Sequence, residues 1–448
     1  MTSNPSSKNP LAVAKIFRLN IESKAEADIL CLNQLVAPAV SFDAWLRPLA
    51  RLTVAEVLSY RSAWGRYGLH LDPIGSLAFA PGKPHKWVMV QKFKAFPTEE
   101  FTLEAVLCPY RVNSCSTILS YAGARTSTAC NVLLQYRGTE GLVLSINGRK
   151  IVTGLHLDFH RWQHIALTWR SSDGRVCLYK EDGTAAIEAM AEGRTVDYGP
   201  PVFTGSLAAG ERLVDGGSLV IGQEQGTPGV LANFVPDAEF IGGLRMVRLW
   251  NRAHDLDVLN RHKSGWLSGD EPGLIGCWYF TRRALEIGEC LNACSSTDNI
   301  GLLGGLTVAA LRDVQLYRPL VIAAGQTVAG RVPLAAQRWQ HVTVTCRGQM
   351  VGPPVESSLE IDGIPVPVWP VTAADAPPPQ PPHFRIGPMT KSLMAELRLR
   401  QSDNGALLAH YTGDLTPDGR LQDQSGHGFD LAITGEFKLE PTDRSHIS

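Results

Sequence analysis

Eleven residues of this chain are written twice. His160-Arg161-Trp162-Gln163-His164-Ile165-Ala166-Leu167-Thr168-Trp169-Arg170 returns as Gln337-Arg338-Trp339-Gln340-His341-Val342-Thr343-Val344-Thr345-Cys346-Arg347, 337 − 160 = 177 residues later. After the tryptophan both copies alternate apolar and polar residues, the period of a half-buried strand. Ile165, Leu167 and Trp169 share one face of the first copy; Val342, Val344 and Cys346 share the same face of the second. A strand buries one face only by joining a sheet packed on something else. Two such strands therefore point to two copies of one sheet-building unit.

The surrounding residues support duplication. Ser358–Ile361 with Asp362-Gly363 answers Val176–Lys180 with Asp182-Gly183, and Phe384–Gly387 answers Leu219–Gly222. Ala395–Leu399 answers Gly243–Val247, Leu407–Tyr411 answers Leu274–Trp278, and Leu421–Gly426 answers Leu291–Ser296. Between Leu69 and Phe280 short strands are expected at Ser76–Phe79, Trp87–Gln91, Phe101–Leu107, Ser116–Tyr121, Val132–Tyr136, Leu142–Ile146, Ser218–Gly222, Leu244–Trp250 and Gly273–Phe280. Asn147-Gly148 and Asp173-Gly174 read as hairpin turns. Asp255 is expected to cap a short helix carrying Leu256 and Leu259, stopped by Gly265. Many short strands with Gly-rich turns and little helix predict β-sandwiches.

Residues 1–10 read as a disordered tail, and residues 11–68 read differently from the rest of the chain. Ser23 with Glu26 and Thr53 with Glu56 have the spacing of capping boxes. Ile29, Leu32 and Val36, and then Val57, Tyr60, Trp64 and Tyr67, recur at helical spacing. A helical N-terminal module is expected at 11–68, packed on the neighbouring sandwich or docking the chain into a larger assembly. The sandwiches are expected at 69–304 and 305–448, with the Pro-rich run Ala376–Pro382 as an extended surface loop of the second.

Charge excludes some partners. With 42 basic and 43 acidic residues, nothing steers the whole chain to nucleic acid or an anionic membrane. No run of 18 apolar residues is present, so no spanning helix is expected. Met1–Pro10 lacks the apolar core of a secretory signal, which makes a cytoplasmic location the default expectation, with export by a route without a cleavable signal the alternative. The odd cysteine count, 9, then reads as reduced thiols; Cys277, Cys290 and Cys294 lack zinc-site spacing.

Four ordered motifs resemble the laminin-G-like and pentraxin-like jelly rolls of the concanavalin A-like superfamily. They are Phe101-Thr102-Leu103-Glu104-Ala105; Trp162 to Trp169; Leu219-Val220-Ile221-Gly222-Gln223-Glu224-Gln225; and Phe240-Ile241-Gly242-Gly243-Leu244 leading into Val247–Arg252. The resemblance covers 69–300 strongly and 305–440 more weakly. It implies calcium held by acids and amides from two loops. Glu224 and Gln225 match, but Gly226 stands where an aspartate is expected, Val235 and Ala238 where an acid and an amide are expected, and Ala129 and Cys130 where Asp-Asn is expected. Calcium takes six to eight oxygens, and most of these donors are gone, so no cofactor is assigned. A site elsewhere on the rim, using Asp215, Asp237 or Glu239, stays open. The disulfide the resemblance implies is missing too: its cysteines would fall at Glu104 and Ala166.

Catalysis finds little support. The nearest approach to the E-x-D-x-x-E acids of related glycosidases, Glu360-Ile361-Asp362-Gly363-Ile364-Pro365, has Pro365 in place of the third acid. Nucleophile-elbow, phosphate-loop and zinc-protease motifs are absent. Asp423 with Ser425-Gly426-His427 reads as a turn. His164 and His341 read as residues of the repeated strand, and Trp162 and Trp339 as packing residues at its start. The chain is expected to be a non-enzymatic recognition protein whose rim loops contact a glycan or a protein surface. The alternative is a structural component of a large particle or injection-type apparatus docked through 11–68. Candidate contact residues are Glu224, Gln225, Asp237 and Glu239 on the loop Gln223–Glu239, with Trp266 and Trp369 in expected loops. Met389–Ser392 is the corresponding loop of the second copy.

Overall fold

A computed structural model describes residues 15–19, 26–29, 39–48, 55–62, 65–83, 85–112, 115–123, 130–185, 197–227, 233–263, 267, 269–295, 297–323, 326–347, 356–373, 383–386, 392–401, 404–434 and 437–441. The repeated segments form strands Gln163–Arg170 and Gln340–Arg347. Each is an interior strand of an antiparallel sheet.

In the sheet built on the first copy the strands run Phe203–Ser206, Arg175–Asp182, Gln163–Arg170, Glu100–Arg111, Ile241–Trp250, Leu274–Thr281. A second sheet runs Arg149–Val152, Gly141–Ile146, Val132–Arg137, Ser116–Ala122, Ser218–Ile221, Trp87–Val90, Gly301–Gly304. Leu103, Ile165, Leu167 and Trp169 of one sheet and Leu119, Leu134, Leu144 and Leu219 of the other join one apolar core. The turn residues behave as their types require: Asn147 and Gly148 both adopt positive φ, 46° and 82°, in the hairpin between Gly141–Ile146 and Arg149–Val152. Asp255 caps helix Leu256–Lys263, its Oδ1 accepting from Val258 N at 3.0 Å.

The second copy has the same strand order. One sheet runs Ile364–Val366, Glu356–Ile361, Gln340–Arg347, Ala39–Pro48, Ser392–Gln401, Leu407–Tyr411. The other runs Gln326–Gly330, Leu311–Ala323, Gly65–Phe79, Ala55–Ser62, His383–Ile386, Glu26–Ile29, Ala432–Thr434. Ala39–Pro48 therefore occupies the place that Glu100–Arg111 holds in the first copy.

This corrects the expected helical module. The described residues of 11–68 are strands, including Ala55–Ser62 where the second helix was expected. The physical reason is long-range pairing: Ala39–Pro48 has eight Cα partners in Gln340–Arg347 and eight in Ser392–Gln401. Interior pairing of that extent outweighs the few tenths of a kcal/mol per residue of helix preference. Val40, Phe42, Ala44 and Leu46 alternate into the core. The expected capping box at Ser23 lies outside the described residues, while its Glu26 opens a strand.

The joint between the two copies is the strand Gly65–Phe79. Its first half pairs with Ala55–Ser62 and with Leu311–Ala323, through Leu69↔Val321 to Pro73↔Tyr317. Its last residues, Leu77 to Phe79, pair with Leu244 to Gly242 of the first copy. The first copy thus emerges where the second would otherwise close a hairpin, as Val132–Arg137 and Gly141–Ile146 do. The two are not separate bodies. Leu316, Leu320, Ala329 and Ala335 of the second pack on Met246, Trp250, Leu274 and Tyr279 of the first, and apolar contact runs on through Leu69, Leu71 and Leu77.

Candidate binding site

The rim excursion after Ser218–Ile221 leaves the sheet at Gly222. Its φ is +88°, and a Cβ there would lie 2.5 Å from the Phe79 ring, so only glycine fits. The two legs are laced together. Val235 N donates to Glu224 O at 2.9 Å, Gly226 N to Asn233 O at 2.9 Å, and Phe240 N to Gly222 O at 2.9 Å. Thr117 N donates to Ala238 O at 2.9 Å, tying the returning leg to the sheet. Asn233, Pro236 and Asp237 are exposed on this excursion, and Asp237 holds a positive φ of 59°.

The four rim candidates have different places. Gln225 is buried, corrected here from contact residue to a brace of the loop. Its Oε1 accepts from Ser218 Oγ, and its Nε2 donates to Ser218 O at 3.0 Å and Ser120 O at 3.3 Å. Glu224 is partly exposed and accepts from Gln135 Nε2 at 2.7 Å, while Gln135 Nε2 also reaches Thr117 Oγ1 at 3.0 Å. Burial raises the Glu224 pKa, with Gln135 opposing. Glu239 lies 3.6 Å from His85 Nδ1 and accepts weakly from Gly82 N at 3.4 Å. Asp237 is exposed on the returning leg. Trp369 is not in a loop: it lies on strand Val368–Ala373, paired with Ala329. Trp266 and the segment 389–391 lie outside the described residues, as does 376–382.

The donors present do not fit calcium. Cys130, where the resemblance expects an amide, is a buried thiol 3.9 Å from Gln225 O. The Gln225 amide is consumed by Ser120 and Ser218, and Glu224 is held by Gln135. Asp215 Oδ1 accepts from Phe96 N at 2.7 Å and Gly216 N at 2.6 Å, a turn role. Among the described residues no group of three acids, histidines or cysteines is placed to hold a metal.

The repeated histidines belong to something the sequence reading missed. Glu104 sits two pairs along from His164 in the ladder, on the same face, and Arg248 faces Glu104 from the other side. His164 Nε2 is 3.2 Å and Arg248 Nη1 3.7 Å from Glu104 Oε2, ion-pair distances out of line for full hydrogen bonds. Trp250 Nε1 donates to Glu104 Oε1 at 2.8 Å. In the second copy Asp43, His341 and Arg398 hold the same register positions. Asp43 Oδ1 lies 3.3 Å from His341 Nε2 and 3.4 Å from Arg398 Nη1. The Glu104–Ala166 pair, where the resemblance places a disulfide, are direct cross-strand partners. A buried acid between Arg248 and His164 stands there instead.

Cover distinguishes the two clusters. Helix Leu256–Lys263 lies over the first, whose three side chains are at most 1% exposed. Gln401 to Leu407 is too short to supply such a helix to the second, where His341 and Arg398 are 26% and 31% exposed. Burial alone would raise the Glu104 pKa; Arg248, His164 and Trp250 outweigh it and lower it. Burial lowers the His164 pKa, with Glu104 opposing. The helix also inserts Lys263, fully buried, its Nζ 3.8 Å over the Tyr198 ring. Burial pulls Lys263 down from 10.5 to about 8. Between those values the unfolded chain binds a proton that the folded chain lacks, so stability rises with pH across that window. Lys263→Met is expected to raise stability at pH 7 by about 1–3 kcal/mol and to flatten that rise. Urea denaturation of both proteins at pH 7 and pH 9.5 checks it.

The turn at Asp423 is as expected. Asp423 Oδ2 accepts from Ser425 Oγ at 2.7 Å and Phe429 N at 3.1 Å. The Asp423 carboxylate is thus engaged away from His427, which meets Ser425 Oγ at 3.0 Å with no acid orienting it among the described residues.

The region 77–269 is a pentraxin-like domain in a chain that is mostly β and antiparallel. Residues 77–269 match the Pentaxin family. Among curated proteins the chain is similar to the rat protein "Sushi, von Willebrand factor type A, EGF and pentraxin domain-containing protein 1", 31% identical over 34% of this chain and 4% of that one. It is also similar to guinea-pig (Cavia porcellus) neuronal pentraxin-2, 30% identical over 27% of this chain and 24% of that one. The match therefore spans a quarter or less of these relatives. Among solved structures it is similar to a putative carbohydrate binding protein from Bacteroides ovatus, with 17% identity, TM-score 0.38, and 59% of this chain and 62% of that one covered. It is also similar to the heptameric SAP-like pentraxin of Limulus polyphemus, with 17% identity, TM-score 0.35, and 52% and 95% covered.

Proposed function

We propose that this is a non-enzymatic recognition protein that binds a glycan or protein surface through the excursion Gln223–Glu239. The observation that carries the reading is the lacing of that loop: both legs are fixed by backbone hydrogen bonds while Asn233, Pro236 and Asp237 stay exposed. A rigid loop spends little ordering entropy on contact. We further propose that the sandwich of about 73–312 is inserted in a hairpin of a second one, formed by residues before and after it. The docking alternative for 11–68 has less support, since both edges of Ala39–Pro48 are occupied.

A glycan array probed with the purified chain tests the function. Binding is expected to persist in a calcium chelator, because the oxygens of Glu224, Gln225 and Asp215 are already engaged and no metal-holding group stands among the described residues. Exchanging Asn233, Pro236 and Asp237 together for alanine is expected to weaken it at least tenfold. Silent arrays and no captured protein surface, or full binding by the triple variant, would defeat the rim reading. Loss of binding in chelator would defeat the metal-free one.

A further inference from the structure

A pocket lies on the outer face of the first copy, away from the rim. Its volume is about 330 Å³, and it opens between strands Gln163–Arg170 and Arg175–Asp182 and the segment Ala253–Leu256 that leads into the helix. That size accommodates a monosaccharide. Three features decide what would fill it. The Arg175 guanidinium is exposed and has no carboxylate partner among the described residues; its Nε reaches only Cys177 Sγ at 3.3 Å. The neighbouring Arg170 is spent on Asp173, at 3.2 and 2.6 Å. The pocket's apolar lining includes Tyr179, Pro201 and Leu256. Polar groups line it as well. Thr168 contributes a hydroxyl, Asp255 a carboxylate used only as the helix cap, and His254 a buried Nε2 with no hydrogen-bond partner among the described residues.

We infer that this pocket binds a carboxylated sugar residue of the uronic-acid type. Its carboxylate would take the open fork of Arg175, the bidentate geometry a guanidinium favours. Its apolar ring face would lie on Tyr179 and Leu256. Its hydroxyls would meet Asp255, Thr168 and His254, all groups that accept or share hydroxyl protons. A neutral sugar leaves Arg175 unpaired; a flat aromatic acid leaves the polar groups unpaired. This site is independent of the rim excursion.

Saturation-transfer NMR on the full chain with glucuronate, glucose and benzoate tests the inference. Glucuronate is expected to give the strong signal. Arg175→Gln is expected to weaken glucuronate binding at least tenfold, while Arg212→Gln, an exposed arginine paired with Glu99 elsewhere, leaves it unchanged. Ala253→Phe, which fills the pocket without touching its charges, is expected to abolish the signal. Thermal melts confirm that each variant is folded. Equal binding of glucose or benzoate, or glucuronate binding untouched by Arg175→Gln and Ala253→Phe, would overturn it. The triple rim variant is expected to bind glucuronate normally, so failure here and failure of the rim reading are separable.

Discussion

Removing residues 1–64 is expected to unfold the C-terminal third of the chain. Ala39–Pro48 has partners on both edges, at Gln340–Arg347 and Ser392–Gln401. Without it those two strands lose their common neighbour, and both sets of ladder bonds facing it go unmade. Val40, Phe42 and Leu46, all 5% exposed or less, leave the core with it. Each fully buried side chain of this size contributes about 1.5–3 kcal/mol, and a domain's net stability is only about 5–15 kcal/mol. Phe42→Asp is a gentler test that keeps the strand: it removes one such contribution and places a charge in the core, with an expected cost of several kcal/mol. Limited proteolysis reads both. Cleavage is expected throughout 311–441 while a fragment spanning 77–269 resists. A deletion that leaves 311–441 resistant would show that the N-terminal strands are dispensable.

The second large effect concerns the paired charge clusters. Glu104→Ala is expected to cost about 3–5 kcal/mol, because it strands Arg248 and His164 in a fully buried site. Asp43→Ala removes the acid at the same register position of the other copy. It is expected to cost about 1 kcal/mol or less, since its cationic neighbours remain partly in contact with solvent. The contrast reads the helix cover together with the second acid, Glu396, that Arg398 keeps when Asp43 is removed. Lowering pH should echo it. The Glu104 pKa is lowered on folding, so its contribution is complete above the unfolded value of 4.5 and is lost as pH falls below it. The His164 pKa is lowered as well, so the unfolded chain gains a proton from about 6.5 downward and stability falls further. Urea midpoints of wild type, Glu104→Ala and Asp43→Ala at pH 7.5, pH 5 and pH 3.5 give the comparison, pH 5 reading His164 and pH 3.5 adding Glu104. Equal costs for the two substitutions would mean that burial under the helix is not what matters.

Strands with both neighbours close by were readable. Val132–Arg137 and Gly141–Ile146 lie where alternation and turn chemistry place them. The N-terminal strands were not: both neighbours of Ala39–Pro48 lie some 300 residues or more away, and Ala55–Ser62, although it pairs locally with Gly65–Phe79, carries a helical spacing that a local window takes at face value. Val57, Tyr60, Trp64 and Tyr67 fall at helical intervals, and Thr53 with Glu56 imitates a cap. A second repeat was present in the sequence and would have exposed the error. Val40-Ser41-Phe42-Asp43-Ala44 answers Phe101-Thr102-Leu103-Glu104-Ala105, and Val57-Leu58-Ser59-Tyr60 answers Ile118-Leu119-Ser120-Tyr121, both 61 residues apart. It was hidden because the tryptophan motif recurs at a different offset.

The site was legible only in outline. Sequence motifs placed the rim excursion, but Gln225 resembles a ligand-facing amide until its partners Ser120 and Ser218 are seen inside. The meaning of His164 and His341 depended on acids and arginines from other strands, which only register brings together. The pocket at Arg175 carries no motif at all. It arises where two strands and the helix entry leave space between them.

Hydrogen exchange on the intact chain tests the nested arrangement most directly. The amides of residues 40–47 are expected to exchange as slowly as those of 341–346, since both belong to interior strands of one sheet. Exchange of 40–47 within seconds, beside slow exchange at 341–346, would contradict it.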